Sequence, residues 1–153
     1  MSKPDNIDHF NGVVLHTLNL LYSKFPVPTE LKVFEIAELA SPGCLSAEAT
    51  FADLQPTFEA IRFLEKEGFI SFGNHYQDGG TFLNVQLTMK GFIVLGQTPG
   101  ALQPSESLIA KVRGLLATGA KGVGSEAAKV LVFQAFTAAA AAFPVVATIL
   151  HKT

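Results

Sequence analysis

Residues 57–95 read TFEAIRFLEKEGFISFGNHYQDGGTFLNVQLTMKGFIVL, and how this run folds decides the architecture of the chain. Its first third continues a helix that starts near Asp53, with Pro56 tolerated in the first turn. Leu54, Phe58, Ile61 and Leu64 line one face of that helix, and Glu59, Arg62, Glu65 and Lys66 point outward. Gly68 is a good C-terminal stop. Phe69 to Phe72 then forms a strand, and Asp78-Gly79-Gly80 supplies a hairpin turn. In the returning strand Leu83, Val85 and Leu87 alternate with Asn84, Gln86 and Thr88, the period-2 signature of a half-buried strand. A short helix from Met89 to Leu95 closes the unit.

Two more helices precede this segment. Asp5 or Asn6 caps the first, in which Ile7, Phe10, Val14, Leu18 and Leu21 recur at helical spacing. Pro26 and Pro28 end it. Thr29 or a neighbour caps the second, which carries Leu31, Phe34, Ile36 and Leu39, and Ser41-Pro42-Gly43 reads as a turn. The run GQTPGALQP, which begins at Gly96, reads as a linker, so the head spans residues 1–97, the linker 98–104 and a helical tail 105–153.

Helix, helix, helix, hairpin is the winged helix-turn-helix order. The segments TFEAIRFLEKEGFISFG and LNVQLTMKGFIVL resemble that superfamily in a helix ending Leu-x-x-Glu-Gly, a Phe-Ile strand, a wing, and then Leu-Thr-x-Lys-Gly. The resemblance covers roughly residues 5–97. It implies an α+β winged helix, three helices plus a β-hairpin wing, here followed by two C-terminal helices. The chain also resembles uncharacterised bacterial proteins in which such a domain precedes a Gly/Ala-rich helical tail, a likeness that implies an architecture and no activity.

With 153 residues, 48 % of them hydrophobic and 16 % charged, the chain has room for one domain of ordinary size and is not of disordered composition. Phe is abundant at 13 residues and Trp is absent, so the core is expected to rest on Phe, Leu, Val and Ile. The lone Cys44 permits no internal disulfide and, with no secretory h-region in MSKPDNIDHF, suits a cytoplasmic protein. The net charge of −2 conceals an asymmetry: up to Gln97, six Lys and Arg face eleven Asp and Glu, whereas from Thr98 onward five bases face two acids.

That asymmetry bears on what the winged-helix likeness implies, namely a third helix in the major groove and a wing on the DNA backbone. Gln55, Thr57, Arg62 and Lys66 would read or grip DNA, joined by His75 and Tyr76 of the wing. Yet Glu59, Glu65 and Glu67 stand among them, and the wing GNHYQDGG holds neither Lys nor Arg. Affinity for DNA comes largely from cations that neutralise phosphates. The same residues therefore serve better as a protein-partner surface, with DNA as the disfavoured alternative.

The tail carries the second functional expectation. Leu108, Ile109, Val112, Leu115 and Leu116 trace an amphipathic stripe, and Ser125 with Glu126 opens another helix that runs through VLVFQAFTAAAAAFPVVATIL, Val130 to Leu150, without a charge. That run is as long as a membrane span needs, but much of it is Ala, and Gln134, Thr137, Pro144 and Thr148 reduce its gain on insertion. Self-association into a homodimer through Leu108, Val112, Leu115, Val132, Phe133, Phe136 and Phe143 is the leading reading. A membrane anchor at the cytoplasmic face, or a membrane-active tail, is its rival, and packing back on the head is the third course.

Chemistry is sparse. GLLATGAK at Gly114–Lys121 lacks the Gly-Lys-Ser/Thr ending of a phosphate loop, and GVGSEA sits outside any βαβ unit. His9, His16, His75 and His151 show no metal-ligand spacing, and no neighbour in sequence activates Cys44. Ser105 and Ser125 read as helix starts. The sequence thus points to a non-enzymatic regulatory or adaptor protein with no metal or cofactor.

Overall fold

A computed structural model of the chain describes residues 6–45, 48–75, 80–96, 107–118 and 126–142. In chain order these form α1 (Asn6–Lys24), β1 (Thr29–Lys32), α2 (Val33–Ala40), α3 (Phe51–Lys66), β2 (Ile70–Ser71), β3 (Asn74–His75), β4 (Thr81–Leu87), α4 (Met89–Gly96), α5 (Leu108–Ala117) and α6 (Glu126–Ala142). The class is α+β. Helices surround a small antiparallel sheet in which β4 is central, β1 pairs with one side of it, and β2 and β3 pair with the other. Ile70 faces Leu87 and Asn74 faces Leu83, so β2 and β3 are two stretches of one edge in a single register.

The expected second helix is half strand. Thr29–Lys32 pairs with β4, and only from Val33 does the chain turn helical, Lys32 keeping an extended φ of −91° and the Val33 amide donating to Gly80 O at 3.0 Å. The buried face is then Val33, Ile36, Ala37 and Ala40, while Phe34 and Leu39 are exposed. Leu31 does reach the core, but as a strand residue. The third helix begins two residues earlier than expected. Thr50 is its N-cap and Asp53 closes a capping box, accepting from the Thr50 amide at 2.9 Å. Pro56 lies beyond the first turn, inside the helix.

A second correction concerns the inward residues of β4. Leu31 faces Phe82 and Thr29 faces Val85, so three residues of β1 span four of β4. The surplus residue is a β-bulge at Leu83–Asn84, and Asn84 adopts the left-handed φ of 56° that its short polar side chain tolerates. Across the bulge the alternation slips by one. Phe82 and Val85 are both fully buried, and Leu83, expected inward, is only half-buried.

The Leu-Thr-x-Lys-Gly run proves to be a clamp on the end of α3. Thr88 donates its hydroxyl to Gly68 O at 2.5 Å and accepts from the Gly91 amide at 3.0 Å, so one oxygen also caps α4. Lys90 Nζ donates to Glu67 O at 2.9 Å and lies over the Phe69 ring. Gly68 holds the φ of +84° that ends α3, where a side chain would be strained. A Cβ on Gly91 would run into the Phe69 carbonyl oxygen, so this position needs glycine for close approach.

The tail helices share the core of the head. Leu108, Ile109 and Val112 of α5, and Ala128, Leu131, Val132, Ala135 and Ala139 of α6, belong to the same buried cluster as Val14, Leu18, Phe69 and Val94. Phe136 anchors α6: its ring packs edge-on against Phe69 at 4.9 Å and meets Phe63 at 6.0 Å and Phe10 at 6.5 Å. Arg113 ties α5 to α1 by donating to Asn19 Oδ1 and Ser23 Oγ, each at 3.0 Å, above the Tyr22 ring. Ser107, rather than Ser105, caps α5, its hydroxyl accepting from the Ala110 amide. No helix of the described residues is long and apolar enough to cross a membrane.

Candidate interaction surfaces

Two helices, α3 and α6, present outward faces of opposite character. On α3, Gln55, Glu59, Arg62, Glu65 and Lys66 are exposed, as their helical phase requires. Arg62 reaches Glu59 Oε1 at 3.6 Å, one turn back, and its guanidinium lies 5.9 Å from the centre of the Phe58 ring. Asp53, Glu59, Glu65 and Glu67 outnumber Arg62 and Lys66 along the helix and its cap. The exposed residues of the helix and its caps therefore carry net negative charge, although Glu59 and Glu65 are balanced by Arg62 and Lys66 on the outward face itself.

Thr57 is not part of that surface. It is 0 % exposed, and its Oγ1 lies 2.7 Å from His9 Nε2. The other ring nitrogen, Nδ1, lies 2.6 Å from Ser41 Oγ. His9 thus bridges the end of α2 to α3 from its place on α1, using one nitrogen as donor and the other as acceptor against hydroxyls that can play either part. Three helices are pinned together by one imidazole. His75 lies in β3, its backbone opposite Phe82. Tyr76 falls outside the described residues.

The residues expected between chains are largely spent within this one. Leu108, Val112 and Val132 are buried in the chain's own core, and Leu115 and Phe136 pack against it half-buried. Burial within the chain leaves Leu108 and Val112 no surface for a second copy, whereas Val132 and Phe136 keep an edge on the groove beside Phe133. Phe133 is different: it is 61 % exposed, and Val130, one turn before it, is 50 % exposed. Phe143 falls outside the described residues. A groove of about 440 Å³ runs beside Phe133, lined by Asn11, Lys129, Val132, Phe136, Thr137 and Ala140. Asn11 is 4 % exposed, and its Nδ2 has no hydrogen-bond partner among the described residues.

Among the described residues the titratable groups do not converge. His16 is half-buried on α1, its Nε2 has no partner among the described residues, and burial lowers its pKa from the usual 6.5. Cys44 is exposed in the turn after α2, where its amide donates to Ser41 O. Among the described residues no group of three or more His, Cys, Asp or Glu is placed to hold a metal ion.

No protein-family model matches the sequence, and no curated protein or solved structure matches it either. The sequence reading gave His9 no role and named Phe133 only as one of seven contact residues, without its groove. Neither carries a local signal: His9 meets partners 32 and 48 residues away, and Phe133 stands out only once its helical neighbours are buried.

Proposed function

We propose that this chain is a non-enzymatic adaptor of winged-helix type that self-associates and offers its charged α3 face to protein partners. The observation that carries the proposal is the exposure of Phe133 and Val130 on a helix that bears no charge after Lys129. An aromatic ring left that open forgoes a large hydrophobic gain unless something covers it.

The winged-helix reading draws on the order of elements, with β1 between the first two helices and β2–β4 after the third, and on the Thr88 clamp at the end of α3. The same head argues for protein rather than DNA as partner. Its third helix carries more carboxylates than cations, and Thr57, a base-reading residue in the DNA hypothesis, is sealed inside. Phosphate neutralisation would have to come from elsewhere.

Light scattering on the eluting full chain tests self-association. Twice the chain mass at micromolar concentration, falling towards the monomer on dilution, is the expected result. A chain that stays single at every concentration overturns the proposal.

A further inference from the structure

The outward stripe of α6 consists of Glu126, Val130, Phe133, Thr137 and Ala140, all exposed. The steps along it are four, three, four and three residues, the spacing that keeps one stripe turned towards a second helix. Large side chains occupy its N-terminal half and small ones its C-terminal half. Laid parallel on a copy of itself, the stripe would set Phe133 against Phe133 and leave a gap at Ala140. Laid antiparallel, it sets large against small throughout.

The groove fits this arrangement. Phe133, Phe136, Thr137 and Ala140 all line it. They stand at i, i+3, i+4 and i+7, the four corners of the hole that receives one knob from a facing helix. Antiparallel packing also sets the two helix dipoles in opposition. Glu126 and Lys129 precede the four paired positions, and Lys129, whose stem lines the groove, is about half-exposed, so its ammonium can stay in water.

We infer that the groove beside α6 is the seat of Phe133 from a second copy of this chain. The two α6 helices pair antiparallel about a two-fold axis. Val130 lies opposite the partner subunit's Ala140, and Phe133 opposite the partner subunit's Thr137. This rests on the self-association reading and adds to it the surface, the orientation and the register. The contact is isologous, so each copy supplies one knob and one hole and the assembly closes at two.

The test uses the full chain with Cys44→Ser, so that introduced thiols act alone. Val130→Cys and Ala140→Cys are combined in one chain and treated with a short thiol–thiol cross-linker. Ten residues apart on one helix, the two thiols stand about 15 Å apart and out of each other's reach. Most of the double variant is expected to become covalent dimer, and Val130→Cys alone to remain uncoupled. Phe133→Ala, in the native background, is expected to raise the dimer Kd at least about tenfold. If Val130→Cys couples to itself, the helices run parallel and the inference is overturned. A dimer by mass in which the double variant does not couple places the contact elsewhere, which overturns the inference and leaves self-association standing. A monomer overturns both; alkylation of Phe133→Cys then tells whether residues 143–153 of the same chain cover the groove (a slow thiol) or nothing does (a fast one).

Discussion

Helices α3 and α6 do the same structural work on their inner sides and opposite work on their outer ones. Each buries an apolar face, Phe58, Ile61 and Leu64 in one and Leu131, Val132 and Ala135 in the other. Outside, α3 holds Glu59, Arg62, Glu65 and Lys66 against water, with the Arg62–Glu59 pair about half-exposed. By contrast, α6 leaves Val130 and Phe133 uncovered beside a groove. The contrast separates two uses of a surface. A charged face keeps a helix soluble and selects partners by sign, whereas an uncharged ridge gains only when a matching shape excludes water from it.

The comparison breaks first at Phe136. If α6 is docked by the Phe10–Phe63–Phe69–Phe136 cluster, Phe136→Ala removes the anchor and lowers unfolding stability by about 2–4 kcal/mol, read from urea melts. A loss below about 1 kcal/mol would mean that the Ala128, Leu131, Val132 and Ala135 face holds α6 by itself. The corresponding point on α3 is Thr57. Thr57→Val keeps the shape but removes the hydroxyl facing His9, and about 1–2 kcal/mol should be lost. The same change should leave the oligomeric state untouched, because Thr57 lies inside.

His16 sharpens the contrast by pH. Its folded pKa is depressed below 6.5 by burial, so the unfolded chain takes up the proton first. The stability that depends on neutral His16 is complete above pH 6.5, is lost as pH falls through the folded pKa, and levels off below it. His16→Leu should flatten that part of the acid limb in melts run from about pH 7 to 5. An unchanged slope would refute the assignment. The smallest effect belongs to Arg62. Its pair with Glu59 is half-exposed and lies within one helix, so Arg62→Ala should move stability by no more than about 0.5 kcal/mol.

What the sequence disclosed follows the range of each signal. Helix existence was legible in α1, α3, α4 and α5 because Phe58, Ile61 and Leu64, or Leu108 and Val112, repeat within one chain segment. Thr29–Lys32 was not, because β1 exists only through its pairing with β4, some fifty residues on. The bulge at Asn84 escaped for the same reason: Phe82 and Leu83 are equally apolar, and only the register against β1 chooses between them. On the functional side, Gln55, Arg62 and Lys66 were placed on the surface correctly by phase. Thr57 was misplaced because a threonine beside outward positions looks polar until His9 is found behind it. Of the residues assigned to chain–chain contact, Leu108, Val112 and Val132 were rightly read as needing cover, but the cover is the chain's own first helix and its neighbours. Hydrophobicity tells that a face must be hidden, not by whom.

The closing of α5 and α6 over α1 has a consequence for biosynthesis. Arg113 grips Asn19 and Ser23, and Phe136 meets Phe10, so α1, once synthesised, waits for two helices made some 90 or more residues later. Until then its far side stays greasy and open to chaperones and proteases. A message truncated after the hairpin would yield a product that quality control should recognise as unfinished, because its N-terminal helix would still lack its lid.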